Sequence, residues 1–167
     1  MHSNSIRIAN QEDLIWVRQI AYATWPICYK EIVSQDQIQF MLNYMYDLDE
    51  LKQQHERGVI FKLLTDEKTD AGFIAFEKVR REAATALRVH KLYVLPEFHK
   101  KKFGRALLEE AINYARENRL AFLELNVNKH NPAVDFYKRI GFQVADTMVL
   151  DIGNGYIMDD YIMVMKL

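Results

Sequence analysis

The sequence predicts an α/β (α+β) fold, in which a mixed, mostly antiparallel twisted sheet of about seven strands is flanked by about four helices. Helical and strand-like hydrophobic periods alternate along the chain. Short polar turns separate β-rich runs between positions 59 and 95, which indicates antiparallel neighbours. A strand, a helix and a strand then follow in succession, which requires a parallel pair within the sheet. We expect one domain over residues 1–167, because a chain of this length supports one sizeable core.

The N-terminal part of the chain predicts one strand and two helices. Residues 6–8 form a short first strand, and Asn10 can cap the helix that follows. The apolar face of this helix consists of Leu14, Val17, Ile20 and Ala21. We expect it to end at Trp25–Pro26, because proline disfavours helical geometry in the residue before it. Ser34 and Gln37 have capping-box spacing, so a second helix begins there and packs over the edge of the domain.

The remaining elements follow from periodicity and turn residues. Three strands are predicted at 59–64, 71–79 and 85–95, followed by a helix from Phe103 and a strand at 121–127. Asn131–Pro132 predicts the start of another helix, and Gly141 ends it where a left-handed residue is needed. The last two strands are predicted at 142–150 and 156–166, joined by a glycine-rich turn.

Composition argues against several classes of protein. The 22 Lys and Arg against 23 Asp and Glu give a net charge of -1, so no global field draws the chain to nucleic acid or to an anionic membrane. No run of eighteen apolar residues occurs, and residues 1–5 lack a signal-peptide pattern, so we expect a cytoplasmic protein. Cys28, the only cysteine, reads as a small buried hydrophobe, and no Cys/His cluster has the spacing of a metal site.

The segment 92–108 is the most informative one for function. A strand ends at a proline, a basic loop follows, and a helix begins, whose first amides have no intrahelical partner and attract phosphate. Gly104 lets a pyrophosphate approach the backbone, while Lys100, Lys101 and Lys102 add positive charge. A basic loop that is simply solvated would give the same pattern. The alternative hypothesis of a nucleic-acid-binding module is supported by these three lysines alone. Neither the P-loop nor the dinucleotide-binding glycine pattern is present.

Residues 99–104 resemble the coenzyme A pyrophosphate loop of the GNAT acetyltransferases, whose pattern is Gln/Arg-x-x-Gly-x-Gly/Ala after a strand ending in Leu-Tyr-Val-x-Pro. His99 replaces Gln or Arg, and Lys102 replaces the first Gly. The side chain at Lys102 can point to solvent if the local φ is negative. Together with the match described next, this resemblance covers roughly positions 85–145.

A second segment, 130–142, resembles the superfamily helix Asn-x-x-Ala-x-x-Phe-Tyr-x-x-x-Gly-Phe, with Tyr137, Gly141 and Phe142 in register. The Asn lies one residue closer to the Tyr than usual, so either Asn131 or His130 takes its place, and we favour Asn131.

This resemblance implies that acetyl-CoA is the co-substrate and lies where the sheet splays open, between the strand ending near Leu95 and the strand beginning near Ala121. Backbone groups of 92–94 would then bond the pantetheine arm and the thioester oxygen, and the first turn, 100–105, would hold the pyrophosphate. The implied coenzyme-binding residues are Leu92, Tyr93, Val94, His99, Lys100, Lys101, Lys102, Phe103, Gly104, Arg105, Asn131 and Tyr137.

Tyr137 matches the family position that faces the sulfur, which makes it the candidate general acid, although an aromatic on a buried stripe would look the same. The sequence does not identify the general base that would deprotonate the amine. His90 titrates in the right range and is expected on the same strand face as Leu92 and Val94. Members that use a Glu base carry it at the position of Arg88, which cannot act as one. Glu77 or a chain of waters is the alternative to His90.

Candidate substrate-binding residues are Trp25 and Tyr29, which Phe40 and Tyr44 could extend into an aromatic wall. Three carboxylates could attract a cationic amine: Asp151, Asp159 and Asp160. Core packing and simple solvation explain both sets equally well.

The predicted activity is acyl transfer to a small-molecule primary amine, such as a polyamine, an amino sugar or an amino acid. A protein N-terminus or lysine as acceptor, a non-catalytic coenzyme A sensor and a homodimer are further hypotheses.

Overall fold

A computed structural model of the chain describes residues 3–167, so Met1 and His2, which entered the expectation about export, lie outside the described residues. The strands are β1 Asn4–Ile8, β2 Ile60–Asp66, β3 Thr69–Arg80, β4 Thr85–Val94, β5 Phe122–Asn128, β6 Gln143–Gly153 and β7 Tyr156–Lys166. The α-helices are α1 Leu14–Cys28, α2 Gln35–Met45, α3 Leu48–Glu56, α4 Phe103–Glu117 and α5 Ala133–Ile140, and short 3-10 helices span Gln11–Asp13 and Pro96–Lys101.

The seven strands form one sheet in the order β1-β2-β3-β4-β5-β7-β6. Only the β4–β5 pair is parallel, and the other neighbouring strands are antiparallel. The predicted fold class, a mixed and mostly antiparallel sheet of seven strands flanked by helices, is therefore confirmed.

The first helix does not end where the sequence predicts. Pro26 lies inside α1, and the Tyr29 amide donates to the Trp25 carbonyl at 2.9 Å. The expected stop at Trp25–Pro26 is therefore wrong. In the last turn a proline removes one main-chain hydrogen bond, and the burial of the Trp25 ring against Tyr29 and Tyr46 holds the backbone in the helical conformation.

Helix α3 is an element that the sequence analysis does not predict. Its sequence is mostly polar, and Leu51 is its only buried residue, so no apolar stripe marks it. The Asp47 side chain accepts a hydrogen bond from the Glu50 amide at 3.3 Å. This cap is the local signal that could have identified the helix, because Asp at the N-cap satisfies an amide that the helix itself leaves unpaired.

The helices cover the two faces of the sheet and form two apolar cores. On one face, α4 and α5 pack through Leu107, Leu108, Ala111 and Tyr137 against strand residues such as Ile74 and Leu123. On the other face, α1, α2 and α3 pack through Leu14, Trp25, Leu42 and Leu51 against Phe61 and Phe73. Gln37 donates to the main-chain carbonyl of Ile157 at 2.8 Å, which ties α2 to β7.

The parallel ladder between β4 and β5 is short. It runs from Ala86 opposite Phe122 to Val89 opposite Leu125, whereas β4 continues to Val94 and β5 to Asn128. Among the described residues no further register pair joins the two strands. The sheet therefore opens between them at their carboxyl ends, where the family resemblance implies that it splays open.

A β-bulge at His90 changes the direction of the side chains that follow it. Phe76 pairs with Val89 and Ala75 with Lys91, so His90 is the extra residue. Lys91 consequently turns into the core under α1–α3. Its ammonium group donates to Gln54 Oε1 at 3.0 Å and lies 5.5 Å from the centre of the Tyr46 ring.

Burial lowers the pKa of Lys91 from 10.5 to about 8. Between these two values the unfolded chain binds the proton more tightly than the folded one, so this group makes stability rise with pH through that window. We expect Lys91→Met to raise the free energy of unfolding at pH 7 by about 1–3 kcal/mol, because an uncharged side chain avoids the desolvation cost. Urea denaturation at several pH values from 7 to 10.5 measures both effects.

In that experiment the rise in stability between pH 8 and 10.5 should be smaller in the variant than in the unmodified protein. Lys78→Met, at an exposed lysine of β3, controls for the change of side chain itself. Equal pH slopes for the unmodified protein and Lys91→Met would contradict the burial of a charged Lys91.

Candidate active site

A cavity of about 720 Å³ lies at the opening between β4 and β5. Residues of α1 and α2 line it on one face of the sheet, and Tyr137 of α5 lines it on the other. The cavity therefore passes through the sheet at the point where the parallel ladder stops. The structure brings together nine of the predicted site residues in its lining: Trp25, Tyr29, His90, Leu92, Tyr93, Val94, His99, Asn131 and Tyr137.

The other predicted residues, 100–105, lie beyond this lining at the start of α4. Lys102 is the N-cap residue, and among residues 3–167 no side chain caps this first turn. The Ala106 amide bonds the Lys102 carbonyl at 3.2 Å, so the amides of Phe103, Gly104 and Arg105 precede the helical ladder. These amides and the positive end of the helix dipole make the turn suitable for an anion.

The conformation of Lys102 departs from expectation. Its φ is +60°, so the negative φ that would turn the side chain to solvent is absent at this residue. Lys102 instead keeps the left-handed backbone that a glycine adopts at least cost, and its side chain is nonetheless exposed. The backbone at Lys102 therefore has a conformation that suits glycine, which is the residue that the family pattern has at this position.

Gly104 is not required by the packing of the protein itself. A Cβ built there would have Phe136 Cζ, at 3.8 Å, as its nearest neighbour, which is an ordinary van der Waals contact. The open space above Gly104 is therefore available to a molecule bound at the start of α4.

The basic residues of this loop have different partners. Lys101 Nζ lies 2.6 Å from the buried Asp66 carboxylate and stacks over the rings of Phe98 and Phe103, so its charge is held by the protein. Arg105 pairs with Glu109 at 3.2 Å on the exposed side of α4. Lys100 and Lys102 are exposed.

His99 links the loop to the end of β4. Its Nε2 lies 2.7 Å from the Val94 carbonyl oxygen, and because a carbonyl only accepts, the imidazole donates from Nε2. The Val94 carbonyl keeps a second lone pair. This bond fixes the position of the basic loop relative to the open edge of β4.

Tyr137 is both a core residue and part of the cavity lining, which unites the two sequence interpretations of it. Its ring packs against Phe136 and Phe142, and its side chain is 8% exposed. Burial raises the pKa of Tyr137, so the phenol is protonated at neutral pH. A protonated phenol at the opening of the sheet can donate a proton.

Asn131 holds the start of α5 next to the cavity. Its Oδ1 accepts from the Ala133 amide at 2.9 Å, which supports the predicted capping role although the helix is assigned from Ala133. Its Nδ2 lies 3.8 Å from the sulfur of Cys28. Burial raises the pKa of the Cys28 thiol.

The expected aromatic wall consists of two separate groups. Trp25 and Tyr29 belong to the buried core, where the Tyr29 hydroxyl lies 2.9 Å from that of Tyr93. Phe40 instead stacks on Tyr44, with ring centres 6.3 Å apart, and it also packs against the ring of Tyr156 with ring centres 5.4 Å apart. Burial raises the pKa of Tyr29, so this phenol is protonated as well.

His90 does not share a strand face with Leu92 and Val94, so that expectation is wrong. The bulge at His90 shifts the alternation, and Leu92 and Val94 pack with the α4–α5 core. The imidazole Nε2 of His90 lies 2.9 Å from Glu77, on the opposite face. Burial lowers the pKa of His90, which favours the neutral ring. With Nε2 donating to the carboxylate, Nδ1 is left to accept a proton.

The sheet face under α1 and α2 forms a polar floor of the cavity. It is made by Arg88, His90, Asn126, Asn128 and Asp160. Sequence analysis did not identify Asn126 and Asn128. The signal was available, since Glu124, Asn126 and Asn128 place polar side chains at every second position of a strand that is otherwise apolar.

Within residues 3–167 no group of three or more His, Cys, Asp or Glu side chains could hold a metal ion. Over the same part of the chain, no helix has the length and apolar character needed to cross a membrane.

Known proteins resemble this chain over nearly its whole length. The spermidine N(1)-acetyltransferase of Thermoplasma acidophilum is 28% identical over 163 residues, which are 94% of this chain and 96% of that protein. The N-acetyltransferase YuaI of Bacillus subtilis, itself uncharacterized, is 25% identical over 162 residues, covering 91% and 92%.

Solved structures share the fold. The PaiA N-acetyltransferase from Thermoplasma acidophilum in complex with coenzyme A has a TM-score of 0.83 and 26% identity, with 99% of each chain covered. The ribosomal-protein-S18-alanine N-acetyltransferase of Escherichia coli has a TM-score of 0.74 at 19% identity, covering 98% of this chain and 94% of that one, which shows the fold alone.

The family itself is shown by a match that spans most of the chain. Residues 29–154 fit the family model described as an acetyltransferase (GNAT) domain. This range contains both predicted motifs, the opening between β4 and β5 and most of the cavity lining. The chain therefore belongs to the GNAT acetyltransferase family.

Proposed function

We propose that this acetyltransferase moves the acetyl group of acetyl-CoA directly to a primary amine of a small molecule, with a polyamine as the leading candidate. The observation that carries the proposal is a continuous cavity that crosses the sheet between β4 and β5 and has Tyr137 in its lining. Its volume of about 720 Å³ is in the range of small-molecule sites. The similarity to a spermidine acetyltransferase supports a polyamine acceptor.

The residues at the start of α4 fit the diphosphate of coenzyme A. The first turn of α4 has no side-chain cap, so it leaves the amides of Phe103, Gly104 and Arg105 available to an anion. Positive charge is added nearby by the exposed Lys100 and Lys102. The main chain at 92–94, on the open edge of β4, and the side chain of Asn131 would then bind the pantetheine arm. When bound, acetyl-CoA supplies an acetyl group activated as a thioester.

Tyr137 has the properties needed to protonate the departing sulfur. It lines the cavity where β4 and β5 separate, and the raised pKa of its phenol keeps the proton available at neutral pH. A thiol has a pKa near 8.5, below that of the phenol, so Tyr137 first stabilises the sulfur by donating a hydrogen bond as negative charge develops on it. Full transfer of the proton is then balanced by the proton that the attacking nitrogen must lose, which restores the phenol.

The His90–Glu77 pair can accept the proton of the acceptor amine. An alkylamine with a pKa of about 10.4 is almost fully protonated at neutral pH, so it must lose a proton before it can react. The neutral His90 ring offers Nδ1, and Glu77 at 2.9 Å stabilises the imidazolium that forms. His90 lines the cavity on the polar floor, where the amine would lie.

Gly104→Ala tests the diphosphate site. We expect the Kd for acetyl-CoA to rise about tenfold, because a methyl group over the amide cluster costs one hydrogen bond to a charged group. The free energy of unfolding should stay equal or rise by up to about 1 kcal/mol, since alanine favours a helix and the site has room for it. Calorimetry measures the Kd, and urea denaturation measures stability.

Gly58→Ala is the matched control for that variant. Gly58 has a φ of +103° with no atom within 4 Å of an added Cβ, so alanine there is strained without a steric clash, and Gly58 does not belong to the cavity lining. It should lower stability by about 1 kcal/mol and leave the Kd for acetyl-CoA unchanged. If Gly104→Ala left the Kd for acetyl-CoA unchanged, the start of α4 would not be the binding site of the diphosphate.

Tyr137→Phe tests the proton donor. We expect kcat to fall about 100- to 1000-fold while the Kd for acetyl-CoA changes little, because the ring stays in place and only the acid is lost. Release of free thiol during amine acetylation is the measurement. Tyr29→Phe, at a second buried phenol of the same cavity, is the comparison variant.

The reverse result, in which Tyr29→Phe loses turnover and Tyr137→Phe retains it, would move the proton donor to Tyr29. The protein could also bind acetyl-CoA and release no thiol with polyamines, amino sugars or amino acids. That result would favour a coenzyme A sensor over an enzyme.

A further inference from the structure

We propose that Asp160 binds a second, non-reacting ammonium group of the acceptor, which makes diamines and polyamines the preferred substrate class over monoamines. This inference rests on the proposed function, because it concerns the acceptor of the same acetyl transfer. It selects among the small amines that the cavity volume alone would admit.

The carboxylate of Asp160 is buried and has spare hydrogen-bonding capacity. Asp160 lies on β7 opposite Asn128 of β5, lines the cavity and is 6% exposed. The Asn126 side chain stabilises its charged form. Among residues 3–167, however, Oδ1 has no partner with hydrogen-bond geometry. A buried carboxylate oxygen without a donor is costly. Because this oxygen is shielded from solvent, an ammonium group would reach it when the Asp160 side chain turns toward the cavity that it lines.

The charges around Asp160 leave room for a cation. Asp159, its chain neighbour, is held by Lys129 at 2.7 Å and raises the pKa of Asp160, as burial does more strongly. Arg88 stabilises the carboxylate from β4, and its guanidinium lies 3.6 Å from Glu124, a carboxylate that Arg81 also binds through two hydrogen bonds. No side chain of the described residues donates to Oδ1 of Asp160, and an ammonium ion would supply that donor.

The other two acidic candidates do not form a comparable site. Asp159 and Asp151 do not line the cavity among the described residues. Asp151 accepts from the Gly153 amide at 2.9 Å in the turn before β7. Of the three carboxylates considered from the sequence, Asp160 alone faces the cavity.

The position of Asp160 separates it from the reacting nitrogen. The acetyl group must lie at the opening between β4 and β5, where Tyr137 reaches the cavity. Asp160 lies on β7, which is the strand after β5 in the sheet, about 4.8 Å from β5 and further than that from the opening. Apolar side chains of Phe40, Met41 and Ile152 line the same cavity and suit a methylene chain. An acceptor with two ammonium groups joined by such a chain fits both positions.

The test compares putrescine, a diamine, with butylamine, which has the same carbon chain and one amine. We expect the unmodified enzyme to show a kcat/KM at least tenfold higher for putrescine. Asp160→Asn should lower kcat/KM for putrescine about 10- to 100-fold, mainly through KM, since it removes a charged hydrogen-bond acceptor. The preference for the diamine should fall to near parity.

Asp159→Asn is the matched control, because it removes the same charge one residue away and outside the cavity lining. It should preserve the preference for putrescine. Thermal unfolding and the Kd for acetyl-CoA verify that each variant is folded. If Asp160→Asn does not fold, equal kcat/KM values for the two amines on the unmodified enzyme would still overturn the inference.

Several outcomes would overturn the inference while leaving the proposed function intact. The first is equal kcat/KM values of the unmodified enzyme for the two amines. The second is an Asp160→Asn variant whose kcat/KM falls by the same factor for both amines. The third is an Asp159→Asn variant that loses the preference for putrescine as fully as Asp160→Asn does. Failure of the unmodified protein to release thiol with any amine, although it binds acetyl-CoA, would instead overturn the proposed function and the inference with it.

Discussion

The separation of β4 from β5 is the constraint on which the site depends. The two strands are held by a parallel ladder only as far as Val89 and Leu125. Main-chain groups beyond that point face a gap, and buried main-chain groups need hydrogen-bond partners. Because β4 and β5 are parallel, the helices that follow them, α4 and α5, both begin at the open end of the sheet. Helix starts, free strand edges and Tyr137 thus meet at one place.

The two faces of the sheet contribute different chemistry to this opening. The α4 face supplies an uncapped helix start for an anion and a buried phenol from α5. The other face supplies a polar floor of strand residues beneath an apolar roof of α1 and α2. The diphosphate of an acyl carrier and the ammonium groups of the proposed acceptor need surroundings of opposite charge, which the two sides of the gap can provide separately.

Local signals in the sequence predicted much of this arrangement. The start of α4 and Gly141 after α5 depend on neighbouring residues, and the structure has both in their predicted places. Asn131 accepts from the Ala133 amide as a capping residue would, although α5 begins one residue later than predicted. The bulge at His90 could not be predicted, because an extra residue is defined only by the register of the partner strand. Pro26 remains helical through long-range packing of Trp25, which periodicity does not reveal.

Amide NMR titration with coenzyme A tests the central claim most directly, since it reports each main-chain amide separately. We expect the largest shift changes at 103–105 in the first turn of α4, at 92–94 on the open edge of β4, and at 126–128 of β5. Binding that leaves these three segments unchanged, with the shift changes confined to another surface, would show that the gap between β4 and β5 is not the coenzyme site.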